Sequence, residues 1–163
     1  MAVSNRSSRQ ASDTFELTSS SPEETQALGE RVGRLLRPGD VVALSGELGS
    51  GKTTLIQGMA KGLGLEPDVV KSPTFVLMRE YAGPIPLIHV DGYRLEGAPA
   101  AAWLDLDLLL SPRKVTVIEW AERFEGLLPP QALDVQLEHV STNRRRIRIE
   151  AVRDLVEQLK GAQ

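Results

Sequence analysis

The chain has 163 residues, 41% hydrophobic and 25% charged, which fits one globular domain with a sizeable core. It has no cysteine, which excludes disulfides and thiolate metal sites and permits a reducing compartment. A formal net charge of −3 argues against a broad electrostatic footprint on RNA or DNA, and no apolar run approaches the roughly 18 residues of a membrane span, so a cytoplasmic protein is expected.

The segment from Met1 to Asp13 is rich in Ser and Arg, nearly free of apolar residues and without the apolar region of a signal peptide. A disordered tail over 1–13 is the expectation, followed by one domain over 14–163. Thr14–Leu17 suits a short edge strand. Ser21-Pro22-Glu23-Glu24 is a strong helix start: Ser21 at the N-cap, Pro22 at N1, Glu24 closing a capping box. Leu28, Val32, Leu35 and Leu36 then fall on one helical face, and Pro38-Gly39 ends the helix.

Val41–Leu44 is a short apolar run that reads as a strand buried on both faces, as in a parallel sheet. A glycine-rich loop and a helix from about Lys52 to Leu63 follow. Phe75–Tyr81 and Leu87–Val90 read as strands around a turn at Gly83-Pro84. Ala100–Leu110 reads as a helix of ambiguous period, and Val115–Ile118 as another apolar strand. Leu133–Val140 and Arg146–Val152 read as strands paired through Ser141–Arg144, and Arg153–Lys160 closes the chain as a helix. The whole predicts an α/β domain, a P-loop NTPase-like three-layer fold whose sheet has a mostly parallel centre and an antiparallel margin.

Gly46-Glu47-Leu48-Gly49-Ser50-Gly51-Lys52-Thr53 fits G-x-x-x-x-G-K-T, and it stands between a strand and a helix as a P-loop must. Gly46, Gly49 and Gly51 let the backbone take positive φ and approach phosphates closely. The loop's N–H groups converge on the anion, backed by the helix N-terminus. Lys52 reaches the β- and γ-phosphates, and the Thr53 hydroxyl is placed for Mg²⁺. ATP with Mg²⁺ is therefore the expected ligand. GTP is disfavoured because no N/T-K-x-D guanine signature occurs.

Asp91 and Glu119 each follow an apolar strand, and ligands of parallel α/β sheets sit outside the carboxyl ends of strands. Each acid suits holding Mg²⁺ or orienting an attacking water; each also suits capping a neighbouring helix. Thr74, in Ser72-Pro73-Thr74, fits a switch-like segment, although the residues alone favour a plain turn. Trp120 is more often core than ligand. Tyr93 and Arg94 suit the wall of the same cleft, with an ion pair an equal reading of Arg94. His89 alternates with buried strand positions and has no evident metal-ligand partner. The run Arg144-Arg145-Arg146 with Arg148 reads as a solvated turn, with contact to an acidic partner or RNA as the alternative.

Gly46–Thr54 (GELGSGKTT), Lys71–Phe75 (KSPTF), His89–Arg94 (HVDGYR, the pattern H-x-D-x-Y-R) and Ile118-Glu119-Trp120 together resemble the blocks of the TsaE (YjeE) family, in family order. Ser50 stands where that family commonly has Ala. The resemblance implies an ATPase required for threonylcarbamoyl modification of the tRNA adenosine next to the anticodon. It implies action with the TsaB–TsaD complex; the net charge leaves contact with tRNA indirect or confined to a local basic patch. The resemblance also implies Thr53 and Glu119 on the Mg²⁺ side, with Asp91 as the other acid serving hydrolysis; Lys52, Asp91 and Glu119 are the candidate catalytic residues. Thr54 extends the loop, Thr74 lies in a switch-like loop and Trp120 lies near the nucleotide. The competing readings are a small-molecule kinase of P-loop type and a nucleotide-dependent switch with negligible turnover. The first is weakened by how few arginines Lys71–Trp120 offers for a substrate lid.

Overall fold

The computed structural model describes residues 11–71, 77–95 and 110–161. The tail over 1–10, Thr74 with most of its KSPTF block, and the helix expected at Ala100–Leu110 lie outside the described residues, apart from Leu110 itself.

Seven strands form one sheet: β1 (Ser12–Ser19), β2 (Val41–Gly46), β3 (Met78–Tyr81), β4 (Leu87–Asp91), β5 (Val115–Glu119), β6 (Leu133–Ser141) and β7 (Arg144–Val152). Their order is β1-β7-β6-β2-β5-β4-β3. β6, β2, β5 and β4 run parallel to their neighbours within the centre, while β1–β7–β6 and β3–β4 are antiparallel margins. The sheet begins at Ser12, inside the segment assigned from sequence to the tail, because Ser12 and Asp13 already pair with Val152 and Ala151.

Among the described residues the α-helices are α1 (Pro22–Leu35), α2 (Lys52–Gly62) and α3 (Arg153–Gly161). Ser21 caps α1, its hydroxyl accepting from the Glu24 N–H at 3.1 Å. The reciprocal bond of the capping box is shifted by one residue: the Glu24 carboxylate accepts from the Ser20 N–H at 2.6 Å rather than from Ser21. Among the described residues no helix is long and apolar enough to cross a membrane.

α1, α2 and α3 cover one face of the sheet. Leu28 and Val32 of α1, Leu55, Ile56 and Met59 of α2, and Val156 and Leu159 of α3 share a core with Val42, Leu44, Val117, Val135, Ile147 and Ile149. The other face carries a smaller core in which Val41, Ala43, Ile88, Val90 and Ile118 meet Leu95 and Phe124. β2, β4 and β5 are thus buried on both faces, which is why they read as unbroken apolar runs. β6 and β7 bury alternate residues, as strands with one wet face do.

α1 and α2 cross at bare backbone. A Cβ built on Gly58 would lie 2.1 Å from the Gln26 carbonyl oxygen, and one on Gly29 would lie 2.2 Å from that of Leu55. Gly33 and Gly62 extend the contact. Only glycine allows this approach, and it fixes α2, hence the loop at its N-terminus, against the body of the domain.

Candidate functional site

The parallel register brings the predicted site residues together. Glu119 at the end of β5 is paired with Leu44 of β2 on one side and Asp91 of β4 on the other. β4 and β5 therefore stop at one level, while β2 runs two residues further to Gly46, where the glycine-rich loop begins. The resulting cleft of about 510 Å³ is lined by Gly49, Gly51, Lys52, Thr53 and Thr54 on the loop side. Asp91, Glu119, Tyr93 and Trp120 line the strand side, with Leu48, 78% exposed, at the rim. That size lies within the ordinary range for small-ligand sites, about 300–1,000 Å³.

The loop is built to meet an anion. Gly51 N-caps α2 at φ 101° and Gly49 has φ 77°, the left-handed region that a side chain disfavours. Gly51 offers no side-chain acceptor, and the first turn of α2 contains no acid. The N–H groups that Ser21 helps satisfy in α1 are left here for a ligand. Lys52 is 6% exposed. Its ammonium donates to the carbonyls of Gly46 at 2.6 Å and Glu47 at 2.9 Å, and to Ser50 Oγ at 3.5 Å. It also lies 4.6 Å from the centroid of the Trp120 ring. Burial pulls the Lys52 pKa below its ordinary value, opposed by the charges of Glu119, Glu122 and Asp91. Gly46, Glu47 and Ser50 thus act from behind the loop, as the supports of Lys52.

On the strand side Asp91 and Glu119 are both buried. One Asp91 oxygen accepts from the Tyr93 N–H at 2.9 Å, a turn that fixes the carboxylate at the strand end. Glu119 Oε2 lies 2.8 Å from His89 Nε2, a partner the sequence did not reveal for that histidine. Trp120 adopts φ 57°, ψ 47°, the one left-handed non-glycine among the described residues. The turn swings the indole toward Lys52, and Tyr93 packs against it in a tilted arrangement, ring centroids 5.2 Å apart and planes at 54°. Backbone strain of this kind costs about 1–2 kcal/mol and is found where a side chain must be aimed. Arg94 is exposed and is not among the residues lining the cleft.

The donor set suits Mg²⁺ held together with phosphates. Thr53 offers a hydroxyl, and Asp91 and Glu119 offer carboxylates, the hard oxygen ligands this ion prefers. Among the described residues no group of three or more His, Asp or Glu side chains could hold an ion unaided.

The arginine run of the β6–β7 turn is solvent-exposed at Arg144, Arg146 and Arg148, as a solvated turn would be, and Arg145 and Arg146 find partners within the chain. Arg145 donates to the Ser141 carbonyl at 2.8 Å and, through Nη2, to the Gly49 carbonyl of the loop at 3.3 Å. Arg146 pairs with Glu138 at 2.9 Å and with Glu16 at 3.6 Å. Between this turn, the start of α1 and the loop lies a second cleft of about 170 Å³. It shares Gly49, Gly51 and Thr54 with the larger one. Nothing local in the sequence marked it, since its walls are about 120 residues apart along the chain, at Ser21–Thr25 and Thr142–Arg145.

Comparison with known proteins gives a consistent answer. The family model for "Threonylcarbamoyl adenosine biosynthesis protein TsaE" matches residues 19–147. The chain is 39% identical over 139 residues to the tRNA threonylcarbamoyladenosine biosynthesis protein TsaE of Bacillus subtilis, covering 85% of this chain and 86% of that one. It is 44% identical over 139 residues to the protein of the same name from Streptomyces coelicolor, covering 82% and 84%. The crystal structure of Bacillus subtilis YdiB matches with a TM-score of 0.75 at 32% identity, over 93% of this chain and 95% of that one. With loop, strand-end acids and Trp120 meeting in one cleft and the match running through nearly the whole domain, the chain belongs to the TsaE family.

Proposed function

We propose that the chain is an Mg²⁺-dependent ATPase of tRNA threonylcarbamoyladenosine biosynthesis that works with the TsaB–TsaD complex in the cytoplasm. The observation that carries this reading is the register that sets Asp91 and Glu119 side by side at the mouth of the phosphate loop. A cradle for phosphate alone needs no acids; two buried carboxylates facing it serve hydrolysis.

In this reading Gly46–Thr54 wrap the phosphates with backbone N–H groups, and Lys52 turns from its loop carbonyls toward the β- and γ-oxygens. Thr53 and Glu119 hold the Mg²⁺, which when bound neutralises charge on those oxygens. Asp91 orients the attacking water, and Thr74 belongs to a loop that senses the γ-phosphate. Trp120 packs beside the nucleotide, and the cleft under the β6–β7 turn takes the nucleoside. The net charge of −3 supports an indirect relation to tRNA, through the partner complex. Family membership leaves the small-molecule-kinase alternative without support.

The test is ATP hydrolysis by the full chain with and without TsaB–TsaD. Turnover that rises with the complex and requires Mg²⁺ is expected. A rate unchanged by the complex would overturn partner dependence, and phosphoryl transfer to a small metabolite without partners would overturn the ATPase reading itself.

A further inference from the structure

Among the described residues His89 is a buried group at the site to which the proposed function gives no role. It stands in β4 one row below Asp91, on the same face as Leu87, in a layer otherwise filled by Leu44, Val115 and Val117. It has no solvent exposure. A polar ring at such a position is unfavourable unless its hydrogen bonds are made. Only one is: Nε2 meets Glu119 Oε2 at 2.8 Å, while Nδ1 has no partner among the described residues. A ring kept for packing would be better replaced by leucine, so the single bond is what the histidine contributes.

We propose that His89 is a positioning residue for Glu119, holding one carboxylate oxygen so that the other is presented to the Mg²⁺ of the bound nucleotide. With Glu119 ionised the bond requires the proton on Nε2, because a carboxylate only accepts. Nδ1 then remains a bare acceptor, which is less costly to bury than an unpaired N–H. A glutamate side chain has three rotatable torsions, and burial alone does not choose which oxygen faces the cleft. The imidazole, immobilised in the sheet, removes that freedom before the cation arrives, as outer-shell partners of metal-binding carboxylates do. The inference rests on the reading of Glu119 as an Mg²⁺-side acid.

The experiment compares His89→Leu, His89→Asn and His89→Gln with Glu119→Gln and the unmodified chain. Calorimetry measures ADP and ATP affinity without Mg²⁺ and across an Mg²⁺ titration, and thermal melting checks the fold. Glutamine carries an N–H near the Nε2 position; asparagine, of shorter reach, does not. His89→Leu and His89→Asn are expected to keep the Mg²⁺-free affinity and to need about 10- to 100-fold more Mg²⁺ for the same tightening. His89→Gln is expected to stay close to the unmodified chain. If Leu fails to fold, the Asn and Gln pair decides. Leu and Asn variants with an unchanged Mg²⁺ midpoint, or a Gln variant as poor as Asn, overturn the inference. Should Glu119→Gln itself leave the midpoint unchanged, the reading of Glu119 falls and takes the inference with it; a shift in Glu119→Gln alone removes only His89.

Discussion

The two walls of the cleft face each other with different materials. The loop wall, Gly46 to Thr54, offers mainly backbone N–H groups and one cation, Lys52, held by carbonyls of its own loop. The strand wall offers side chains: two carboxylates at adjacent strand ends, one of them bonded to His89, and two aromatic rings in tilted contact. The loop wall is contiguous in sequence and hangs on α2. The strand wall is assembled from β4 and β5, nearly thirty residues apart, and rests on the sheet. One wall is suited to gripping an anion and the other to managing what happens to it. The proposed function depends on that division of labour.

Lys52→Ala attacks the loop wall at its strongest point. Nucleotide affinity is expected to fall at least about 100-fold, near 3 kcal/mol, in calorimetry with or without Mg²⁺. Near-normal affinity would break the comparison, since the backbone alone would then suffice. The same variant carries a pH signature. The native Lys52 binds its proton less tightly than an ordinary lysine of pKa 10.5, chiefly because of burial. The unfolded chain therefore holds more protons just below that value, and the Lys52 contribution to stability rises with pH there. Lys52→Ala should flatten that part of the stability–pH curve measured by denaturant titration.

Glu119→Ala attacks the strand wall. Mg²⁺-dependent hydrolysis should drop about 100-fold while Mg²⁺-free nucleotide affinity holds. Wild-type turnover with ordinary Mg²⁺ dependence would make Glu119 a structural acid and leave the strand wall without its chemistry.

The loop wall was legible from sequence because its chemistry is local: the spacing of Gly46, Gly51, Lys52 and Thr53 states the geometry. The carboxylates were legible at one remove, as acids closing apolar runs that read as strands. The parallel centre and antiparallel margins follow from those runs and from the alternation of β6 and β7. What could not be read was pairing across distance. Nothing near His89 names Glu119 as its partner, and nothing near Arg145 names Gly49, because those contacts exist only once strand order is fixed. The placement of β6 beside β2 was hidden for the same reason. The glycines of α1 and α2 were in plain view, but the helices were read by their apolar residues, so their close crossing went unseen.

That crossing separates the two walls mechanically. Gly58→Ala adds one methyl, which on propensity alone should favour the helix by about 1 kcal/mol. The methyl would sit 2.1 Å from the Gln26 backbone oxygen, where no rotamer can relieve it. A net loss of about 2 kcal/mol in denaturant unfolding is expected. Because α2 carries the loop, nucleotide affinity should weaken as well, whereas the His89–Glu119 pair lies in the sheet and should persist. Unchanged or raised stability would mean that the helices can part without consequence for the loop.

Arg145→Ala makes the smallest and sharpest cut. Its bond to the Gly49 carbonyl ties the β6–β7 turn to the loop across 96 residues of chain. At 3.3 Å and exposed it is a modest bond, worth about 1 kcal/mol at most. In the proposed reading the phosphates would lie on the loop's N–H groups and the nucleoside in the cleft that Arg145 lines. ATP affinity should therefore weaken about fivefold, consistent with a loss near 1 kcal/mol, while inorganic triphosphate binds as before. Equal weakening of both ligands would show that the turn acts on the shape of the loop instead, and the nucleoside would then have to lie against Tyr93 and Trp120 on the strand wall.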